Sequence, residues 1–154
     1  MKIVEEAELT IGQKERIVEI WNAEYPASIA HPDLSSFEDY LNNLGEKRHF
    51  LLFDENEILV GWTMLFVRDG AKWFAILVDA KFQGKGCGVK LIDALKSAEK
   101  RFFGWVIDND DNVKSNGTAY KSPLEFYKKI GFAVHTDEKL IKEEISGVKI
   151  EWNG

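Results

Sequence analysis

A chain of 154 residues lies near the commonest domain size, and 45% hydrophobic with 12% aromatic residues is enough apolar surface to offset the entropy of ordering. An intrinsically disordered chain is therefore excluded, and one domain spanning 1–154 is expected. The formal net charge of −6 argues against a nucleic-acid partner, and no run approaches the roughly 20 apolar residues that cross a bilayer.

The first residues, Met1-Lys2-Ile3-Val4-Glu5-Glu6, lack the apolar centre of an export signal. Thr10 is placed to cap a helix over about 11–23, in which Ile11, Ile17, Val18, Ile20 and Trp21 recur at helical spacing before Pro26. A loop from Tyr25 to Asp33 follows. Ser35 with Glu38 reads as a capping box opening a second helix through Phe37, Tyr40, Leu41 and Leu44, closed by Gly45. From His49 the period changes to runs of β-prone residues: Phe50–Phe53, Ile58–Val67 and Trp73–Val78, separated by Asp54-Glu55-Asn56 and Arg68-Asp69-Gly70. They predict an antiparallel three-strand meander. A helix from about Val89 to Lys100, a strand over 102–107, a polar segment from Asp108 to Lys121, a short helix capped by Ser122-Pro123 and closed by Gly131, and strands near 132–136 and 147–152 complete the reading. The polar segment is long for a connection in a compact domain, which marks it as a candidate active-site loop.

The chemistry-bearing stretch is Val78-Asp79-Ala80-Lys81-Phe82-Gln83-Gly84-Lys85-Gly86-Cys87-Gly88, a strand end, a turn and a helix start. Alternate glycines allow positive φ and inward-turned amides, and the new helix adds unsatisfied N–H groups and a positive dipole end. Together they predict an anion cradle. A Walker loop needs Gly-Lys followed by Ser or Thr, but Gly86 and Cys87 follow Gly84-Lys85. A dinucleotide fingerprint fails too, because the sixth position counted from Gly84 is Val89.

The spacing of Gln83, Gly86 and Gly88 resembles the Gln/Arg-x-x-Gly-x-Gly/Ala motif of the GNAT N-acetyltransferase family, and Phe126-Tyr127 with Gly131-Phe132 resembles that family's Phe-Tyr-x-x-x-Gly-Phe signature. The resemblance implies an α+β fold with a mixed, mostly antiparallel seven-stranded sheet flanked by helices, in element order βαα-βββ-α-β-α-ββ. It further implies that acetyl-CoA is a co-substrate, without a metal, and that a primary amine of a small molecule or a peptide or protein is the acceptor. An inactive acyl-CoA-binding sensor on the same fold is the alternative, with a monomer or homodimer expected in either case. By the same resemblance, the strand ending at Val78 and the strand 102–107 would splay to admit pantetheine, which would pair with main-chain groups of Ile76, Leu77 and Val78. The cofactor-binding set would comprise these three with Gln83, Gly84, Lys85, Gly86, Cys87, Gly88, Asn112 and Tyr127. The amide of Val78 would polarise the thioester, and Tyr127, a phenol of ordinary pKa about 10, would protonate the departing thiolate.

The base is open among Glu24, His31, Asp79 and Asp108, and the asparagine contact to pantetheine that the resemblance implies among Asn109, Asn112 and Asn116, with Asn109 or Asn112 preferred and Asn112 placed in the set. Cys87 at a helix start reads as structural rather than nucleophilic, since no histidine is near in sequence. As the chain's lone cysteine it also precludes an intrachain disulfide and suits a reducing, cytoplasmic setting. His49 and His135, at strand edges, are expected at the surface, and His31 reads most simply as a solvated loop residue. Trp62 and Trp73 are candidates for an apolar acceptor wall, although burial alone explains them.

Overall fold

The computed structural model describes residues 1–142 and 145–154. Strand β1, Lys2–Glu6, leads into helix α1, Ile11–Glu24. Thr10 forms the complete capping box: its hydroxyl accepts from the Gln13 amide (3.1 Å), and the Gln13 side chain accepts from the Thr10 amide (2.9 Å). Helix α2 covers Leu34–Asn42, and here the expected Ser35 cap is not formed. Asp33 caps instead, accepting the Ser36 amide at 2.9 Å, because its carboxylate complements the helix dipole where a neutral hydroxyl does so less. Gly45 does not close α2 but opens strand β2, Gly45–Phe53.

Strands β3, Leu59–Arg68, and β4, Ala71–Val78, complete the predicted meander. Then come helix α3, Cys87–Ala98, strand β5, Arg101–Ile107, helix α4, Leu124–Lys129, and strands β6, Ala133–Lys142, and β7, Ile145–Asn153. Ser122 Oγ accepts the Leu124 amide at 3.3 Å, the bond expected of a cap, although Pro123 rather than Ser122 is the N-cap residue of α4. The same hydroxyl donates to the Ile107 carbonyl, tying the chain back to the end of β5, and α4 starts after Pro123. The seven strands run in spatial order β1-β2-β3-β4-β5-β7-β6, with only the β4–β5 pair parallel. The leading strand implied by the family resemblance is present as β1, but sequence periodicity marked neither it nor the second half of β6. Both are edge strands with charged, exposed faces, so the apolar alternation that marks an interior strand is absent from them.

Helices α1 and α2 cover one face, where Ile17, Trp21 and Phe37 pack with Trp62, Met64 and Leu77. Helices α3 and α4 cover the other, where Ile92, Leu95 and Tyr127 pack with Leu65, Phe74 and Phe102. Strand alternation thus sends Trp73 and Leu77 of β4 to the α1–α2 face and Phe74 and Ile76 to the α3–α4 face. At Gly104 of β5 a Cβ would lie 2.5 Å from the Phe74 ring, so a glycine is needed for that ring to seat against the strand. β4 and β5 meet in a single register pair, Trp73 with Phe103, and then part. Past that point their facing edges, 75–78 and 105–107, border an opening. Among the described residues, no helix is long and apolar enough to cross a membrane.

Candidate active site

The opening between β4 and β5 is the mouth of a cavity of about 1180 Å³, lined from the sheet by Ile76, Val78, Val106 and Ile107 and at one end by Gly84, Gly86 and Gly88. Its β4 wall presents main-chain groups in a fixed order. The Asp79 amide donates to the Val60 carbonyl (2.9 Å), which fixes the antiparallel alternation and turns the main chain of Ile76 and Val78 away from β3, toward the opening. Two side chains confirm that direction: the Tyr25 hydroxyl donates to the Ile76 carbonyl (3.0 Å), and Gln83 Nε2 donates to the Val78 carbonyl (3.0 Å). Leu77 lines the cavity, but its backbone faces β3 and its side chain is core, so of the three expected main-chain partners it is the one not suited to the role.

The glycine turn takes the predicted conformation at two positions. Gly84 and Gly86 have φ of +75° and +81°, and a Cβ at either would meet nothing within 4 Å, leaving open space over the turn. Gly86 is the N-cap of α3, with no side-chain cap, and its carbonyl already accepts from Lys90. The first amides of α3 are therefore free, and the turn fits an oxyanion such as a pyrophosphate. Gly88 plays another part: it is helical and packs against the Phe126 ring, 3.4 Å from where its Cβ would be. Gln83 braces the turn through Val78 and Glu24, while Lys85 lies over the Phe82 ring (5.5 Å) and not in the cavity wall. Cys87 is buried at the start of α3 with its Sγ 3.6 Å from the Met1 sulfur, the structural setting expected of it.

Tyr127 is 5% exposed, enclosed by Phe74, Phe126 and Phe132 with ring centroids 5.2–5.9 Å away, and it lines the cavity. Burial, reinforced by Tyr120, pushes its phenol well above the ordinary range, so it is a protonated hydrogen-bond donor and a weaker acid than a free phenol. All four tyrosines of the chain, Tyr25, Tyr40, Tyr120 and Tyr127, line the same cavity. Sequence reading singled out only the last, because the other three come from separate loops and helices with no motif around them.

The four groups proposed as base separate clearly. Asp79 is outside the wall and holds Arg16 (2.6 Å) and the Lys81 amide; burial opposes its ionisation, but these donors outweigh burial and lower its pKa. Asp108 is likewise outside, its pKa lowered chiefly by the hydrogen bond from Lys139 (2.9 Å). Glu24 lines the cavity but is occupied, one oxygen accepting from Gln83 (3.2 Å) and Lys114 (3.3 Å) and the other from the Ala80 amide (3.3 Å). It joins α1, the glycine turn and the polar segment. His31, expected in solvent, is instead 9% exposed against Trp21 (4.5 Å), and burial lowers its pKa, leaving a neutral imidazole. Its Nδ1 meets Ser36 Oγ at 2.8 Å, its backbone is clasped by Asn22, and its buried Nε2 has no partner among the described residues.

The polar segment folds back as a small bridged turn, Val113 with Ala119, and docks on the α1–α2 connection through Ala27 to Val113 (2.9 Å) and on the end of α1 through Ser115 to Asn22 (3.0 Å). Asn109 and Asn116 accept local amides, Asp111 and Thr118, and stabilise their own turns. Asn112 does not line the cavity either, so none of the three asparagines is brought to it. Tyr120, Lys114 and Lys121 of this segment do reach the wall. Trp73 lines it while Trp62 is core, its indole donating to His49 (3.1 Å), which is 2% exposed and not at the surface as expected.

Residues 46–134, more than half of the chain, match the family described as an acetyltransferase (GNAT) domain. No curated protein sequence matches significantly. The fold is similar to that of an aminoglycoside 6'-N-acetyltransferase complexed with coenzyme A, with a TM-score of 0.70 at 15% identity, covering 98% of this chain and 96% of that one. It is also similar to an aminoglycoside 6'-acetyltransferase type Ii (0.73, 16%, covering 99% and 97%) and to a spermidine/spermine N-acetyltransferase from Vibrio cholerae (0.62, 17%, covering 97% and 91%).

Proposed function

The chain belongs to the GNAT family of acetyltransferases, and from that membership we propose that it moves the acetyl group of acetyl-CoA directly to a primary amine. The observation that carries this reading is the opening between β4 and β5, with the outward-turned main chain of Ile76 and Val78 on one wall and the glycine turn at its end. An extended pantetheine arm matches an unpaired strand edge, and a pyrophosphate matches the free amides of α3. The substrates named for the structural neighbours, aminoglycosides and polyamines, are amines, which supports an amine acceptor.

The amine nitrogen attacks the thioester carbon, the C–S bond breaks, and CoA leaves as a thiolate that takes up a proton. Amide donors at Ile76 and Val78 stabilise the negative charge that develops on the carbonyl oxygen, at about 3 kcal/mol per well-placed donor. Tyr127 donates to the departing sulfur. His31 is the cavity group left free to take the proton of the attacking amine, and its neutral state suits that task.

The test is an amine panel read by release of CoA thiol, run beside Tyr127→Phe. Turnover of at least one amine is expected, with a fall of roughly 100-fold or more in kcat for the variant at near-constant acetyl-CoA affinity. Tight acetyl-CoA binding with no turnover of any amine would instead favour an acyl-CoA sensor, and equal turnover would return Tyr127 to the core.

A further inference from the structure

At the end of the cavity away from the glycine turn stands an arginine that the reaction outlined above does not use. Arg68, the last residue of β3, lines the cavity with its guanidinium over the Phe66 ring (5.2 Å) and the Trp73 ring (5.8 Å). Among the described residues no carboxylate lies within ion-pair distance of it, although nine of the other arginine and lysine side chains are so paired.

Two neutral donors adjoin it. Trp73 is 8% exposed, and its indole N–H is buried without a hydrogen-bond partner among the described residues, an unfavourable state unless a ligand supplies an acceptor. The Tyr40 phenol, which also lines the cavity, is pushed up to about 12 by burial, with the charge of Arg68 pulling the other way, so the two groups feel one another. Three donors, one of them a permanent cation, thus line this cavity, and among the described residues the indole N–H finds no acceptor.

CoA phosphates are not the natural partner. Trp73 lies five residues before Val78 on β4, roughly 16 Å of strand, and the glycine turn lies beyond that. Arg68 therefore stands past the reacting end of an acyl arm whose pyrophosphate sits on α3. Resting on the acetyltransferase reading above, we propose that Arg68, Trp73 and Tyr40 form an oxyanion subsite in the acceptor half of the cavity, and that the acceptor is an amine carrying a carboxylate. Trp73 is three residues from Ile76, roughly 10 Å along the strand, which sets the reach between carboxylate and reacting amine to that of an ω-amino acid or a short peptide. A guanidinium at this place repels polycations, so diamines are disfavoured by the same group that selects carboxylates.

The experiment compares matched acceptors that share one amine and differ at the far end: an ω-amino acid, its carboxamide, its phosphonate and the corresponding diamine. Each is read by kcat/KM from CoA thiol release and, independently of turnover, by binding through tryptophan fluorescence. The carboxylate is expected to exceed the carboxamide roughly 10- to 100-fold, mainly through KM, and Arg68→Met to collapse that ratio while the carboxamide's kcat and the acetyl-CoA affinity stay level. Arg68→Lys should restore part of it. A phosphonate preferred over the carboxylate would reassign the anion, and a diamine or carboxamide preferred, or a ratio unchanged in Arg68→Met, would overturn the subsite. Calorimetric titration of acetyl-CoA separates the two readings: no acetyl-CoA binding by the folded protein defeats the acetyltransferase reading, whereas bound acetyl-CoA with diamine turnover defeats the subsite alone. If no compound turns over, fluorescence binding of the carboxylate that Arg68→Met abolishes still supports the subsite, and its absence overturns it.

Discussion

Gly86 shows how much of the site a single residue can decide. Its φ of +81° is a conformation that a side chain rarely adopts, and the space above its Cα is open. A β-branched residue there is strained by about 1–3 kcal/mol and fills the volume assigned to the pyrophosphate. Gly86→Val is therefore expected to weaken acetyl-CoA at least tenfold by calorimetric titration, with only a modest fall in Tm; unchanged affinity would remove the cradle from the site. This residue was legible in sequence because alternate glycines at a strand-to-helix junction state a backbone requirement directly. Arg68, Tyr40 and His31 were not. Their meaning depends on what they lack or meet in space: Arg68 stands beside Trp73 with no carboxylate partner among the described residues, and His31 is buried by Trp21, ten residues earlier in the chain. Asn112 illustrates the converse case, since an asparagine after β5 reads as a ligand contact in sequence while in the structure it does not line the cavity.

At the scale of elements, the pair β4 and β5 makes the cavity, and its geometry is set by one contact. The Phe74 ring sits against Gly104 and is itself fixed by Phe102, Tyr127 and Phe132 at centroid distances of 5.5–5.9 Å, so it has no room to yield to a methyl group 2.5 Å away. Gly104→Ala is expected to cost about 1–3 kcal/mol by overpacking, a Tm loss of roughly 2–10 °C, and to weaken acetyl-CoA as the strands shift. A variant with wild-type Tm and affinity would show that this contact does not hold the strands. The meander and α3 were readable because interior strands and an amphipathic helix carry strong periodicity. β1 and the outer half of β6 were not, since edge strands with charged faces have no apolar period to read. The displaced cap of α2 has a similar origin: two capping residues, Asp33 and Ser35, lie two positions apart, and only the fold selects between them.

For the whole molecule, acid stability should be governed first by histidine and only later by carboxylates. His49, on β2, is buried against Trp62 of β3, with its Nδ1 accepting the Trp62 indole N–H at 3.1 Å. Burial first, then the positive charges of Lys47 and Lys14, depress its pKa from 6.5 to about 4. Between those values the unfolded chain binds a proton that the folded chain does not, so stability rises with pH through this window and is lost as pH falls. Charging His49 in the fold would also convert its acceptor nitrogen into a donor facing the Trp62 donor. The contribution is about 3 kcal/mol between pH 6.5 and 4, and His31, shifted in the same direction by burial, adds to the slope. The lowered carboxyls, Asp79 held by the Lys81 amide and Arg16 against burial, and Asp108 held by Lys139, act later: their stabilisation is present above the ordinary carboxylate range and disappears below it. Thermal denaturation at fixed ionic strength should therefore show Tm falling already from pH 6.5 to 5, ahead of the lowered Asp79 and Asp108 carboxyls. His49→Gln should flatten that part of the profile, whatever its Tm at pH 7, because it removes the proton-binding difference. A wild-type Tm constant down to pH 5 would mean that His49 takes up its proton without loss of the fold and that the Trp62 contact does not resist it.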